Sequence, residues 1–438
     1  MKTSKQRFAV YGASLAFALT LTACSSGGGT PSAANTEGPA PTGVTLTLWH
    51  NTADSPALLS LYKAYEKASG NKISLVDIPP GTFPTTVQTK WATGARPDIL
   101  EWHGNQTDLL SLNGAQNMTD LSALPFVKKE GHLAEVSGSV NGKVYAATIG
   151  MPSVFGVFYN KQVFAKAGLQ PPTSYADLAS YCKTLKSKLP GVAPIFEAGG
   201  SGWSQQVLSA FNYLGQYNVN EAYDKSILGK KAKLSDSDGP FVTGLKSYDS
   251  LRTSGCFNKD SVTATWEDSL KAVLSGKAAM VAQNTDSIAL LNADAGGDTA
   301  KVDKAVGFVG VSATKAVANY SPSPLGTYYV PKTGNAKKER AATDFIQWIT
   351  GDGYADYVKE AKTIPTLSGA PTPQLQGLMQ DAQKAYEDGA TLSFNSQIPG
   401  SGNFGPQSAK LLAGQQSPQQ VADKMQTYYL QAAAATGN

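Results

Sequence analysis

"VTLTLW" at residues 44–49 is followed by "ADSPALLSLYKAYEKAS" at 53–69 and "KISLVDI" at 72–78. The first alternates threonine with apolar residues, the period of a strand with one buried face. The second repeats apolar residues at helical spacing behind Ser55-Pro56 and stops at Gly70. The third returns to strand chemistry, "TFPTTVQTKWATG" (82–94) reads as a second helix, and "RPDILEW" (96–102) as a third strand. A βαβαβ order demands a parallel sheet, because each helix carries the chain back to the same end. Ligands of such sheets gather at the carboxyl ends of the strands. Here those ends are Trp49-His50-Asn51, Pro80-Gly81-Thr82 and Glu101-Trp102-His103.

A second α/β unit begins after "NGKVYAAT" (141–148), with a strand to Tyr159, a short helix, a Pro171-Pro172 turn and a helix capped by Thr173 or Ser174. "APIFEAGGSGWSQQVLSAFNYLG" (193–215) reads as strand, glycine loop and helix, and "SLKAVLSGKAAMVAQNTDSIALLNA" (269–293) as helix, strand, polar turn and helix. From Lys337 onward, helices are interrupted by "TIPTLSGAPTP" (363–373) and "FNSQIPGSGNFGP" (394–406). No internal repeat is evident.

At the N-terminus, Lys2, Lys5 and Arg7 precede an uncharged run from Phe8 to Ala23, the pattern of a signal peptide over 1–23. A membrane-spanning helix needs roughly 20 apolar residues, and this run is short and contains Ser14 and Thr20. "LTAC" (21–24) resembles a bacterial lipobox, and that resemblance implies acylation of Cys24 as the expected first residue of the mature chain. Residues 24–42, rich in Ser, Gly, Thr, Pro and Ala, read as a flexible tether. Cys182 and Cys256 are the other two cysteines, and in an oxidising exterior they can form a disulfide.

The 438 residues are 41% apolar and 16% charged, a globular composition with enough chain for two lobes. Of the formal +4, three positives lie in residues 1–7, which leaves about +1 on the mature body. No basic face for nucleic acid follows. His50, His103 and His132 show no metal-binding spacing, and neither a G-x-S-x-G elbow nor a P-loop lysine after "GGSG" occurs. No metal, cofactor or catalytic residue is assigned.

Four stretches carry a resemblance: "GKVYA" (142–146), "YNKQVFAKAGLQPPTSYADL" (159–178), "LSGKAAM" (274–280) and "KKERAATDFIQWIT" (337–350). In this order they resemble the family 1 solute-binding proteins of carbohydrate ABC importers, the family of maltose-binding protein. The resemblance covers nearly everything from Val44 onward. It implies a two-lobe α/β periplasmic-binding-protein fold of type II, with a ligand cleft between lobes joined by three hinge crossings. The expected crossings are Ala147–Pro152, Gln283–Asp286 and Gly326–Tyr328. Lobe 1 is expected over 43–150 plus about 286–327, and lobe 2 over 151–285 plus about 328–438. It further implies a carbohydrate ligand, a membrane permease and a cytoplasmic ATPase as partners. A monomer lipid-anchored on the extracellular face of the cytoplasmic membrane is expected.

Sugars present C–H faces and a rim of hydroxyls, so a site for them needs flat aromatic rings and in-plane hydrogen-bonding groups. The resemblance puts stacking tryptophans at Trp102 and Trp203. Trp49, His50, Asn51 and Asp54 follow the first strand. Glu101, His103, Asn105 and Gln106 flank Trp102. Met151 and Ser153 occupy the inter-lobe loop, Gln283, Asn284 and Asp286 the polar turn, and Phe404 offers a late aromatic contact. Trp91 and Trp348 sit on helical faces as core residues, and Trp266 has no assignment. The competing classes are a secreted glycosidase or lyase built on carboxylates such as Glu101, Asp54 and Asp286, and a sugar-sensing receptor or adhesin that uses the same cleft. Cys24→Ala protein should bind its ligand in solution yet fail to take up labelled lipid or sediment with membranes; acylation of that variant would remove the anchor from Cys24.

Overall fold

The computed structural model describes residues 33–79, 82–322 and 325–435. The signal peptide, Cys24, the first part of the tether and the Pro80-Gly81 turn lie outside the described residues. The strands in chain order are β1 (Thr45–Asn51), β2 (Lys72–Ile78), β3 (Ile99–Glu101), β4 (Ser139–Val140), β5 (Lys143–Val144), β6 (Ala146–Thr148), β7 (Ser153–Asn160), β8 (Ala193–Phe196), β9 (Ala278–Asn284), β10 (Val306–Val309), β11 (Asn319–Ser321), β12 (Thr327–Tyr329) and β13 (Thr391–Leu392). Among the described residues, no helix is long and apolar enough to cross a membrane.

Lobe 1 is organised around β1. Leu46 and Leu48 are fully buried, and β1 pairs in parallel with β2 over its whole length and with β3 on its other edge. The helix between β1 and β2, Pro56–Ser69, starts where the Ser55 side chain accepts the Leu58 N–H, and it ends on Gly70 at φ 71°. Ala57, Leu58, Leu61, Tyr62 and Tyr65 form its buried face, which packs with Phe345 of the helix Ala336–Ile349. The sheet order is β2-β1-β3-β12-β6.

Lobe 2 is organised around β7, which pairs antiparallel with β9 on one edge and with β11 and β10 in succession on the other. The order is β13-β11-β7-β9-β8. A disulfide joins Cys182, in the helix Tyr175–Lys188, to Cys256 across 74 positions. By chain entropy a closed loop of that length contributes about 4 kcal/mol.

These pairings correct the expected lobe boundaries. Segment 286–327 does not belong to lobe 1: β10 and β11 are hydrogen-bonded to β7. Nor does the segment from 328 belong wholly to lobe 2, since β12 pairs with β3 and β6, and Ala341, Phe345, Tyr354 and Val358 lie in the lobe 1 core. The chain returns to lobe 2 with the helix Gly377–Glu387, whose Leu378 and Ala382 pack in the same core as Val154 and Phe158 of β7. Gln283–Asp286 is therefore a strand-to-helix turn inside lobe 2 and not a crossing. The crossings run over 148–153, 321–327 and 361–377, the last containing "TIPTLSGAPTP". The tether is also shorter than expected. Ala34 N–H donates to Asp120 O at 2.9 Å, Arg340 to Gly38 O at 3.1 Å and Asn71 to Pro41 O at 3.0 Å, so 34–41 lies along lobe 1.

The crossings are bound to one another. Ile149 and Gly150 N–H both donate to Gly326 O, at 2.9 and 3.2 Å. Gly326 has φ 72°, and a Cβ there would sit 3.0 Å from Gly150 N, so the position requires glycine. Thr366 Oγ1 donates to Thr148 O at 2.9 Å, which ties the third crossing to the first. Beneath them lies Glu130, buried at the end of the helix Pro125–Glu130. Burial pushes its carboxyl up to about 8, against the pull of the neighbouring Thr148. Between the ordinary carboxylate range and pH 8 the folded chain thus holds a proton that the unfolded chain has released, so stability falls as pH rises through that window. Glu130→Gln should raise the melting temperature over wild type at pH 8, by an effect worth a few kcal/mol, and leave it unchanged near pH 4; an equal shift at both pH values would show that Glu130 does not titrate in this window.

Candidate functional site

Both sheets aim the same ends at the space between the lobes. In lobe 1 these are the ends of β1, β3 and β6 and the start of β12; in lobe 2, the ends of β8 and β9 and the start of β7. Each candidate residue can therefore be placed by which way its side chain leaves its strand end.

On the lobe 1 side most of the candidates turn inward. Glu101 is fully buried, and its carboxylate accepts Asn51 N–H at 2.9 Å and Gly326 N–H at 2.7 Å. Burial, and next the charge of Asp54, holds its pKa well above the ordinary range, although both backbone donors pull it down. His50 lies between Asp54, 3.1 Å from Nδ1, and Asp77, 2.8 Å from Nε2. Its burial alone would lower its pKa; the bonds to the two carboxylates outweigh this and raise it. Asp54 also accepts the Tyr62 hydroxyl at 3.0 Å, and Tyr62 and Tyr328 share a hydrogen bond of 2.6 Å. The Asn51 side chain accepts Ala53 N–H at 2.9 Å and closes the turn. His50, Asn51, Asp54 and Glu101 are brought together as an interior network that joins β1, β3 and the second crossing.

Three aromatic candidates are corrected. Trp102 is 0% exposed: His103 stacks on it at 4.8 Å, Phe83 lies 5.8 Å away, and its Nε1–H donates to Asp108 O. Its ring is occupied by protein and meets no ligand in this conformation. Trp49 is buried in the same cluster, with the Lys90 ammonium over its ring. Phe404 is 0% exposed among Phe211, Phe241 and Phe394 in the lobe 2 core. Trp49 and Trp102 are buried because the strand ends are covered on both faces, with Leu46 and Leu48 in one core cluster and the two indoles in the other; Phe404 lies on the inward face of the helix Phe404–Leu412. His103, Asn105 and Gln106 remain half-buried at the cleft edge, where Asn105 and His103 both contact the Asp108 carboxylate.

The lobe 2 side presents rings. Trp203 and Trp266 are half-buried and meet edge to face, 5.8 Å apart at 61°. Trp203 leaves the loop Gly199–Ser201, whose glycines press against the chain at 261–264: Gly199 N–H donates to Ser261 O, and a Cβ on Gly200 would lie 2.3 Å from Thr263 O. The "GGSG" composition is thus explained by close backbone packing. Trp266 opens the helix Trp266–Ser275, which the Thr265 and Asp268 capping box starts. Its backbone N–H donates to Ser201 Oγ at 2.7 Å and its Nε1–H to Ser287 Oγ at 3.0 Å, so the ring orientation is held from two sides. The "TWED" capping pattern was the available signal for placing Trp266 at a helix start facing this loop.

Asp286 completes the wall. It accepts Ser153 Oγ at 2.6 Å and is reached by solvent although protein surrounds it. Burial raises its pKa, and the Ser153 bond opposes this. Met151 and Asn284 are half-buried beside it, and Gln283 is buried in the strand. The buried Oδ1 of Asn284 has no hydrogen-bond partner. An accessible carboxylate and two oriented indoles at the mouth of an inter-lobe cleft suit a polar ligand with flat apolar faces.

Comparisons with known proteins agree with this architecture. Residues 49–356 match the family profile described as "Bacterial extracellular solute-binding protein". The "Multiple sugar-binding protein" of Streptococcus mutans serotype c is 24% identical over 245 residues, 54% of this chain and 56% of that protein, so the match spans little more than half of its length. The "Melibiose/raffinose/stachyose-binding protein MelE" of Bacillus subtilis is 22% identical over 335 residues, 74% of each chain. Among solved structures, a "Chitin oligosaccharide binding protein" superposes with a TM-score of 0.74 at 20% identity, covering 89% of this chain and 99% of that one. With two sheets meeting across three crossings, and residues 49–356 matched by the family profile, the chain belongs to the family of bacterial extracellular solute-binding proteins.

Proposed function

We propose that this chain is the substrate-binding component of an ABC importer for a di- or oligosaccharide, held outside the cell by lipid on Cys24 and working as a monomer beside its permease. The observation that carries this reading is the Trp203 and Trp266 pair facing the cleft next to Asp286 and Asn284. Indole faces cover the C–H faces of sugar rings, while the Asp286 carboxylate accepts hydroxyl hydrogens. The relatives whose printed names state a sugar ligand support the same class.

Trp203, Trp266, Asn284 and Asp286 are the residues assigned to ligand contact, with Met151, Ser153, His103 and Asn105 at the edge. Glu101, Asp54 and His50 act behind the site, where they hold the strand ends in register with the second crossing. The ligand favours closure because it touches both lobes, and a state that makes both sets of contacts is populated in proportion to that extra affinity. A glycosidase would need two carboxyls flanking the scissile bond. Asp286 faces the cleft, but Glu101 and Asp54 are turned into lobe 1 and already occupied by backbone, histidine and tyrosine donors. That arrangement favours binding over hydrolysis.

A thermal-shift screen against a sugar panel identifies the ligand, because binding to the folded state alone raises its melting temperature. Against that ligand, the Trp203→Ala/Trp266→Ala protein should lose affinity by about tenfold or more, the equivalent of ~1.4 kcal/mol, while keeping its far-ultraviolet circular dichroism. Unchanged affinity in a folded double variant would move the site elsewhere, and new reducing ends released from an oligosaccharide would make the protein an enzyme.

A further inference from the structure

The interior network of lobe 1 has the composition of a metal site. His50 Nδ1, an Asp54 carboxylate oxygen and a Glu101 carboxylate oxygen all lie within 4.8 Å of one another. They come from the end of β1, the turn before the helix Pro56–Ser69 and the end of β3, three elements locked by the parallel sheet. The Asp54 side chain is 1% exposed, and its Oδ1 is buried without a hydrogen-bond partner. Glu101 is wholly buried beside it. Among the described residues, no lysine or arginine forms an ion pair with either carboxylate; the basic side chain in contact is His50, whose Nδ1 lies 3.1 Å from Asp54 Oδ2.

Two carboxylates facing each other out of water repel, and such a pair persists only with a proton or a cation between its members. The second nitrogen of His50 decides which partner the geometry favours. Nε2 is 2.8 Å from Asp77, a carboxylate on the next strand with a 72% exposed side chain. In the tautomer that keeps the hydrogen on Nε2 for Asp77, the Nδ1 lone pair is directed at Asp54 and Glu101. A remote carboxylate that sets the tautomer in this way is the usual outer partner of a metal-ligating histidine. The Tyr62 hydroxyl donates to Asp54 Oδ2 at 3.0 Å and fixes that carboxylate in place.

We propose that His50, Asp54 and Glu101 form a structural site for one divalent transition-metal ion of the zinc class. One imidazole nitrogen with two carboxylates is a donor set that suits zinc better than calcium or magnesium. A double positive charge neutralises both buried carboxylates while His50 stays neutral. Each Glu101 oxygen has a second lone pair, so the N–H bonds from Asn51 and Gly326 persist beside the ion. The metal would then tie β1, β3 and the second crossing into one unit. This inference is independent of the sugar reading, since the cluster lies behind the cleft and its test uses no sugar.

The test takes the whole purified protein, stripped with a chelator and dialysed, with zinc chloride alone added near pH 7. One equivalent should bind saturably by calorimetry and raise the melting temperature by at least about 2 °C at saturation. Cobalt in its place should give the visible absorption of a low-coordinate nitrogen and oxygen site. Asp54→Asn and His50→Gln should each weaken zinc by about tenfold or more, while His132→Gln, at an exposed histidine, should leave it unchanged. The proposal is overturned if wild type binds no zinc, or if binding vanishes with His132 and survives His50→Gln. A wild type indifferent to zinc whose stability responds to pH alone, as a proton shared by Asp54 and Glu101 would make it, overturns it too. Should a variant not fold, cobalt on wild type decides: the spectrum of the hydrated ion refutes the site.

Discussion

The carboxylate of Glu101 holds one backbone N–H from the end of β1 and one from Gly326 in the second crossing. Most of the architecture depends on that grip. Without it, the turn at Asn51 and the entry to β12 would each leave a buried donor unmet, which costs about 1–3 kcal/mol per group. The same crossing carries the carbonyl that receives Ile149 and Gly150, so one glycine residue links a lobe 1 acid through its N–H to the first crossing through its C=O. Strand ends and hinge are thereby one hydrogen-bonded object, and any rotation of the lobes must pass through it.

Around this object the two lobes solve different problems. Lobe 1 uses its strand ends to build a buried polar network, backed by aromatic packing of Phe83, Trp102 and His103. Lobe 2 uses its strand ends to present Trp203, Trp266 and Asp286 outward. The asymmetry follows from what each sheet leaves open. In lobe 1 the crossings lie against β3 and cover its end, whereas in lobe 2 β8 ends in a glycine loop that lifts Trp203 clear of the sheet. The indoles of Trp203 and Trp266 thus stand on the lobe 2 side, and half-buried His103 and Asn105 on the lobe 1 side.

Much of the fold was legible in the chain. Alternation in 44–49, the Ser55-Pro56 start and the Gly70 stop each have a local cause, and each element formed where its cause lay. The lobe assignment of 286–327 was not legible. A polar turn after a strand looks the same whether the chain leaves for the other lobe or folds back, and the choice is made by whether β10 and β11 find β7, contacts about 150 residues away along the chain. Nor was it legible that Trp102 would be walled in by Phe83 and His103 while Trp266 would stay half-exposed. Burial is settled by neighbours that the local sequence does not name.

By itself the sequence determined the class of structure and the chemistry available to it: parallel α/β units, capped helices, glycines where the backbone turns left-handed or comes close, and a supply of indoles and carboxylates at strand ends. Local sterics and hydrophobic periodicity act within a few residues, so they can be read along the chain. The tertiary structure alone decided which carboxylates face solvent and which face each other, which tryptophans are core and which are surface, and where the chain crosses between lobes. Those outcomes rest on desolvation and on pairing across long separations, and both exist only once the two sheets have closed around their cores.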